Sequence, residues 1–143
     1  MSKRRVVAGV GIGVSLLALA YVAHVWPVAK AHAESKTCAG AVASICLSAR
    51  CWALDHDGIM PTDFLCMSNE LCTPKILSCV VSRRVRSSNW SAFSMTNCTY
   101  KIVAPGMRIE ETNKVYLRCA VHGHLGYGDT TVFDGTRRHG KFD

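Results

Sequence analysis

Hydrophobic and polar positions divide this chain into three stretches. No Asp, Glu, Lys or Arg occurs between Arg5 and Lys30, leaving the 24-residue run VVAGVGIGVSLLALAYVAHVWPVA. As a helix it would extend about 36 Å, enough to cross a hydrocarbon core of about 30 Å. From 28 to about 55 the pattern becomes helical and one-sided. Cys38, Val42, Ile45, Ala49 and Trp52 recur at intervals of four and three and so share a face, while Lys36, Ser44, Ser48 and Arg50 fall elsewhere. Pro27 marks the junction as the place for a kink. Asp55-His56-Asp57-Gly58 gives a stop, and Met60-Pro61 opens a new segment. A short helix is expected at 62–71, capped by Thr62 or Asp63.

The remainder reads as β. Expected strands are 75–81, 98–103, 115–121 and 130–133. In the third, Val115, Leu117, Cys119 and Val121 alternate with Tyr116, Arg118 and Ala120, which turns the first set toward a core. Ala104-Pro105-Gly106 and Asp134-Gly135 are turn signals. Residues 82–97 form a polar loop, and 123–128 a tight glycine-rich connection. The expected fold class is α+β, a long N-terminal helix packed on a small antiparallel sheet. Its parts are a basic flank at 1–5, a membrane anchor at 6–29, an outward amphipathic helix at 30–58 and a small β-rich domain at 59–143.

Charge adds an orientation. The net charge of +7, from 17 basic and 10 acidic side chains, is concentrated in a few clusters. Lys3-Arg4-Arg5 precedes the apolar run, and the positive-inside rule keeps that end in the cytoplasm. The expected location is a bacterial inner membrane, crossed once, with the C-terminal domain in the periplasm. Tyr21 and Trp26 fall near the outer end, where aromatic belts sit. Ala31-His32-Ala33 has the form of a signal-peptide cleavage site, but the apolar run is longer than a signal peptide's, which favours a retained anchor. Arg83, Arg84 and Arg86 form a second cluster, either a patch for an anionic partner or a solvated loop. No aromatic interleaving accompanies it, so nucleic acid is not an expected partner.

Eight cysteines outside the cytoplasm read first as disulfides, with on the order of 100 complete pairings open. Cys46 and Cys51, on one helix, are too far apart to bond each other. No C-x-x-C occurs, which argues against a thioredoxin-like site. Cys119-x-x-His122-x-His124 offers metal ligands, with His56 and Asp129 as candidates to complete a set. It lacks a second ligand pair of familiar spacing, and no metal or other cofactor is expected. No nucleophile–base pair or carboxylate dyad stands out, so neither enzymatic activity nor a small-molecule substrate is expected.

Several motifs occur in a telling order. The outward helix carries Cys38, Val42, Ile45 and Leu47, then Arg50-Cys51-Trp52-Ala53-Leu54-Asp55, with Gly58 and Pro61 beyond. Met67-Ser68-Asn69-Glu70-Leu71 is followed by Thr73-Pro74-Lys75, Cys79 and Asn89-Trp90. Arg118-Cys119-Ala120-Val121-His122-Gly123-His124 then leads through nine residues to Asp134-Gly135. Across roughly residues 28–138 this set resembles the type IV pilin and type II secretion pseudopilin group. The likeness is to its short prepilin-type proteins, whose tail reads His, nine residues, Asp-Gly. The resemblance implies a pilin-like fold and a structural or assembly role in a type II secretion or type IV pilus-related system. It also implies partners among the components of that machinery, and it makes His124, Asp134 and Gly135 the tail motif. A membrane-tethered envelope binding module recruited through Arg83, Arg84 and Arg86 is the alternative, and a Cys/His metal-dependent protein a third.

The chain departs from the group at its start. Residues 4–9 contain no Gly-Phe junction and the span holds no Glu, so prepilin peptidase is not expected to cleave it. Cys79 and Cys119 each sit in an alternating apolar set, Leu77, Cys79, Val81 and Leu117, Cys119, Val121. If both sets face one core the sulfurs approach, and the resemblance also places a cysteine at each position. A Cys79–Cys119 disulfide is therefore expected, closing a loop of about 41 residues and contributing up to about 4 kcal/mol. The competing expectation is a zinc-bound Cys119 thiolate with His122 and His124.

Overall fold

A computed structural model describes residues 3–82 and 84–140, with side chains in the first helix from Ala18 onward. Met1 and Ser2 of the basic flank, the side chains of Lys3, Arg4 and Arg5, and Arg83 of the second basic cluster lie outside the described residues. The chain divides into two compact units, Met1–Ala33 and Glu34–Asp143. Its elements are α1 (Lys3–Leu54), α2 (Ser68–Leu71), β1 (Tyr100–Ile102), β2 (Val115–Cys119), β3 (Leu125–Tyr127), β4 (Val132–Phe133) and β5 (Arg138–His139). The class is α+β, one long N-terminal helix and a five-stranded antiparallel sheet.

In the first unit α1 is helical on both sides of Pro27. Leu19, Tyr21, Val22, Trp26 and Val28 are each more than half exposed. Among the described residues, α1 is the one helix long and apolar enough to cross a membrane.

In the second unit the expected stripe of α1 is covered. Cys38, Val42, Ile45 and Ala49 are buried, Trp52 is partly buried, and Cys46 and Ala53 widen the buried face. The helix stops where the sequence signals it. Asp57 and Gly58 take left-handed φ values of 54° and 71°, and the Gly58 N–H donates to the Ala53 carbonyl at 2.9 Å. A turn of this kind satisfies carbonyls the helix leaves open.

The sheet is a meander in the order β1-β2-β3-β4-β5, with Tyr100 opposite Cys119 and Leu125 opposite Phe133. β1, β2 and β4 lie within three of the expected strands. The strand expected at 75–81 does not form. Pro74 instead opens a 3₁₀ turn, Pro74–Leu77, capped by the Thr73 hydroxyl, which accepts from the Lys75 N–H. The helix expected at 62–71 contracts to α2, because Asp63 draws the Leu65 and Cys66 N–H groups into a local turn at 2.8 and 3.0 Å. The expected glycine-rich connection contains a strand, β3. In β2 a register shift between Val115 and Leu117 interrupts the alternation, so Tyr116 and Leu117 are both buried while Val121, beyond the strand, is 45% exposed.

β3 lies so close to α1 that position 126 has no room for a side chain. A β-carbon on Gly126 would stand 2.5 Å from Cys46 Sγ and 2.8 Å from Val42 Cγ1. Gly126→Ala should therefore destabilise the domain by about 1–3 kcal/mol through overpacking. Gly140→Ala, where an added β-carbon meets nothing within 4 Å, should leave the urea midpoint unchanged.

Candidate functional site

Three separate segments bring four donor groups together. Cys38 lies on the buried face of α1, Cys79 follows the 3₁₀ turn, Cys119 ends β2, and His122 stands in the turn after it. The three sulfurs and a ring nitrogen of His122 all lie within 4.8 Å of one another. Cys38 Sγ is 3.4 Å from Cys119 Sγ, and Cys79 Sγ is 3.2 Å from His122 Nδ1. The cysteines are buried and the histidine partly so.

Local backbone chemistry fixes each donor. The Cys119 N–H donates to the His124 carbonyl at 2.9 Å, and the Gly123 N–H returns to the Cys119 carbonyl at 3.0 Å. Gly123 adopts φ +73°, a left-handed conformation that glycine tolerates without steric cost. The turn folds His122 back on Cys119, whose Sγ accepts the His122 backbone N–H at 3.4 Å. Thr99 does the same for Cys79. Its hydroxyl accepts the Cys79 N–H at 2.7 Å, its N–H donates to the Leu77 carbonyl, and its carbonyl accepts from Ala120. The irregular segment is thereby tied to the sheet beside Cys119.

The cluster is electrostatically uneven. The Cys119 thiol is pushed down to about 5, first by the hydrogen bond from the Cys38 thiol and then by backbone N–H groups of His122 and Val121, against the effect of burial. Cys38 moves up, because it is the donor to Cys119 and is buried. Burial also raises Cys79. The Tyr100 hydroxyl lies 3.5 Å from Cys38 Sγ, and burial raises it too. Cys119 is thus the most acidic of the three clustered thiols.

All eight cysteines carry free thiols. The pair expected from the sequence, Cys79 and Cys119, falls within the cluster, with Cys38 as an additional member. The expected ligand group Cys119, His122 and His124, with His56 and Asp129, is only partly brought together. His124 stacks on His122, ring centroids 5.1 Å apart, but its Nε2 is 3.2 Å from Ser35 Oγ. Its Nδ1 is buried with no hydrogen-bond partner among the described residues. Burial, then the neighbouring His122, push His124 down. His56 stacks on Trp52 at 3.6 Å, and Asp129 pairs with Arg138 at 2.9 Å, so neither joins the cluster. In the basic patch, Arg84 donates to the Thr96 and Cys98 carbonyls, a structural use of its charge, and Arg86 is exposed.

The tail motif frames the later strands. His124 immediately precedes β3, and Asp134-Gly135 turns β4 into β5. Gly135 has φ +96°. The Asp134 carboxylate accepts from the Thr136 N–H and hydroxyl, the Arg137 N–H and the His139 ring. The Thr136 and His139 hydrogen bonds, in that order, hold its carboxyl well below the usual range. A depressed carboxylate pKa stabilises the fold above the unfolded value of about 3.9 and ceases to do so as pH falls through the folded value. Asp134→Ala should therefore cost about 1 kcal/mol at neutral pH. The gap between variant and parent in urea unfolding should narrow as pH drops below about 4.

No protein-family model, curated protein or solved structure matches this chain.

Proposed function

We propose that this protein is a membrane-anchored structural or assembly protein of the pseudopilin-like type. It is set in a bacterial inner membrane with its N-terminus in the cytoplasm and its small domain outside. The observation that carries the reading is the change of character along α1. In the first unit its apolar side chains, among them Leu19, Tyr21, Val22, Val25, Trp26 and Val28, are exposed, and no Asp, Glu, Lys or Arg occurs on any face between Arg5 and Lys30. A helix apolar all round needs an apolar surrounding. In the second unit only one stripe is apolar and buried, and a small antiparallel sheet completes the fold. A long helix followed by such a sheet is the architecture the pseudopilin resemblance implies.

The tail motif supports a structural role. His124 is buried beside the donor cluster, and Asp134 and Gly135 build a turn. The motif residues thus maintain the domain's framework. Residues 4–9 hold no Gly-Phe junction, so prepilin peptidase is expected to leave this segment uncut.

Affinity purification from alkaline-washed native membranes tests this. Full-length protein should stay in the pellet and bring down components of a type II secretion or pilus-related machine. A soluble form beginning near Glu34, or a pellet form with no such components, counts against the proposal.

A further inference from the structure

We propose that Cys38, Cys79, Cys119 and His122 bind one zinc ion, a structural centre that fastens the outward part of α1 to the sheet. Three sulfurs and one imidazole make a Cys₃His donor set, a familiar one for tetrahedral zinc. With Zn–S near 2.3 Å and Zn–N near 2.0 Å, the edges of such a tetrahedron are about 3.5–3.8 Å long. The 3.4 Å sulfur–sulfur contact, the 3.2 Å sulfur–nitrogen contact and the 4.8 Å outer limit bracket those edges. Small side-chain adjustments bring all four donors to the right spacing.

A disulfide uses the cluster less completely. Joining any two of the sulfurs leaves the third thiol and the His122 ring outside the bond. A metal ion engages all four. Soft sulfur donors exclude calcium and magnesium, which take oxygen ligands. The protein supplies a full set of four ligands, three of them buried, which leaves no open coordination position for substrate and makes the centre structural.

The surroundings suit a metal thiolate. Three thiolates and a neutral imidazole around Zn²⁺ leave one net negative charge in the interior, which needs donors nearby. The His122 backbone N–H already points at Cys119 Sγ, and the Tyr100 hydroxyl lies within reach of Cys38 Sγ. His124, fixed by Ser35, packs face to face on the His122 ring with the planes 10° apart. That contact limits how the ligand ring can turn.

Metal analysis of the full-length protein, purified in detergent without chelators, tests the centre independently of what it binds in the membrane. About one zinc per chain is expected from a single four-ligand site. Cys38→Ser, Cys79→Ser, Cys119→Ser and His122→Ala should each lose it, whereas Cys66→Ser and Cys72→Ser, at exposed positions, should keep it. Because unfolding of the first group would also release metal, cobalt exchange into the unaltered protein gives a second readout. Thiolate-to-cobalt charge-transfer absorption with the d–d bands of a tetrahedral ion is expected. Zinc-free protein that yields a peptide linking two of Cys38, Cys79 and Cys119 would overturn the proposal, as would occupancy by copper or iron alone.

Discussion

Cys38 belongs to a helix, Cys79 to a segment without regular structure, and Cys119 with His122 to the end of a strand and its turn. Holding their four ligand atoms within 4.8 Å joins three segments that are far apart in the sequence. β1 and β3 have three residues each, and β4 and β5 two each. Strands so short are marginal alone and need a covering element. The unit Glu34–Asp143 has room for only a modest apolar core. A metal bridging three segments would close two long loops and add its binding free energy to folding.

The same geometry accounts for polar chemistry in the core. Burying free thiols beside an imidazole is costly, and burial raises Cys79. Shared coordination turns that liability into a cross-link. Around it the packing is exacting: Val42 and Cys46 on α1 press on the bare backbone of Gly126. Arg50, one turn on, donates to the Ile109 and Gly128 carbonyls. One face of one helix thus organises both the apolar core and the donor cluster.

Much of this face is legible in the sequence, because apolar residues at Cys38, Val42, Ile45 and Ala49 follow the 3.6-residue period of a helix with one buried side. The strand around Leu117 is legible too, though not the bulge that buries Tyr116. Segment 75–81 misleads because its alternation is outweighed by local capping at Thr73-Pro74 and by the Thr99 hydroxyl, which takes the Cys79 N–H from any ladder. β3 is hidden because Leu125-Gly126-Tyr127 reads as a turn when the glycine is there for close approach. In the site, Cys119 and His122 announce themselves through short spacing. Cys38 looks like one more apolar residue of the stripe, since a buried thiol packs as a small hydrophobe. Cys38, Cys79 and Cys119 lie about 40 residues apart in turn, a separation with no local signature.

Among the described residues α1 is long and apolar enough to cross a membrane, and its later part contributes Cys38 to the donor cluster. A structural zinc would make the domain's stability depend on metal supply in its compartment rather than on oxidation. X-ray absorption at the zinc edge, on full-length protein isolated from its native membrane, measures this most directly. The spectrum should report three sulfurs at about 2.3 Å and one nitrogen at about 2.0 Å. A shell of nitrogen and oxygen only would contradict the account.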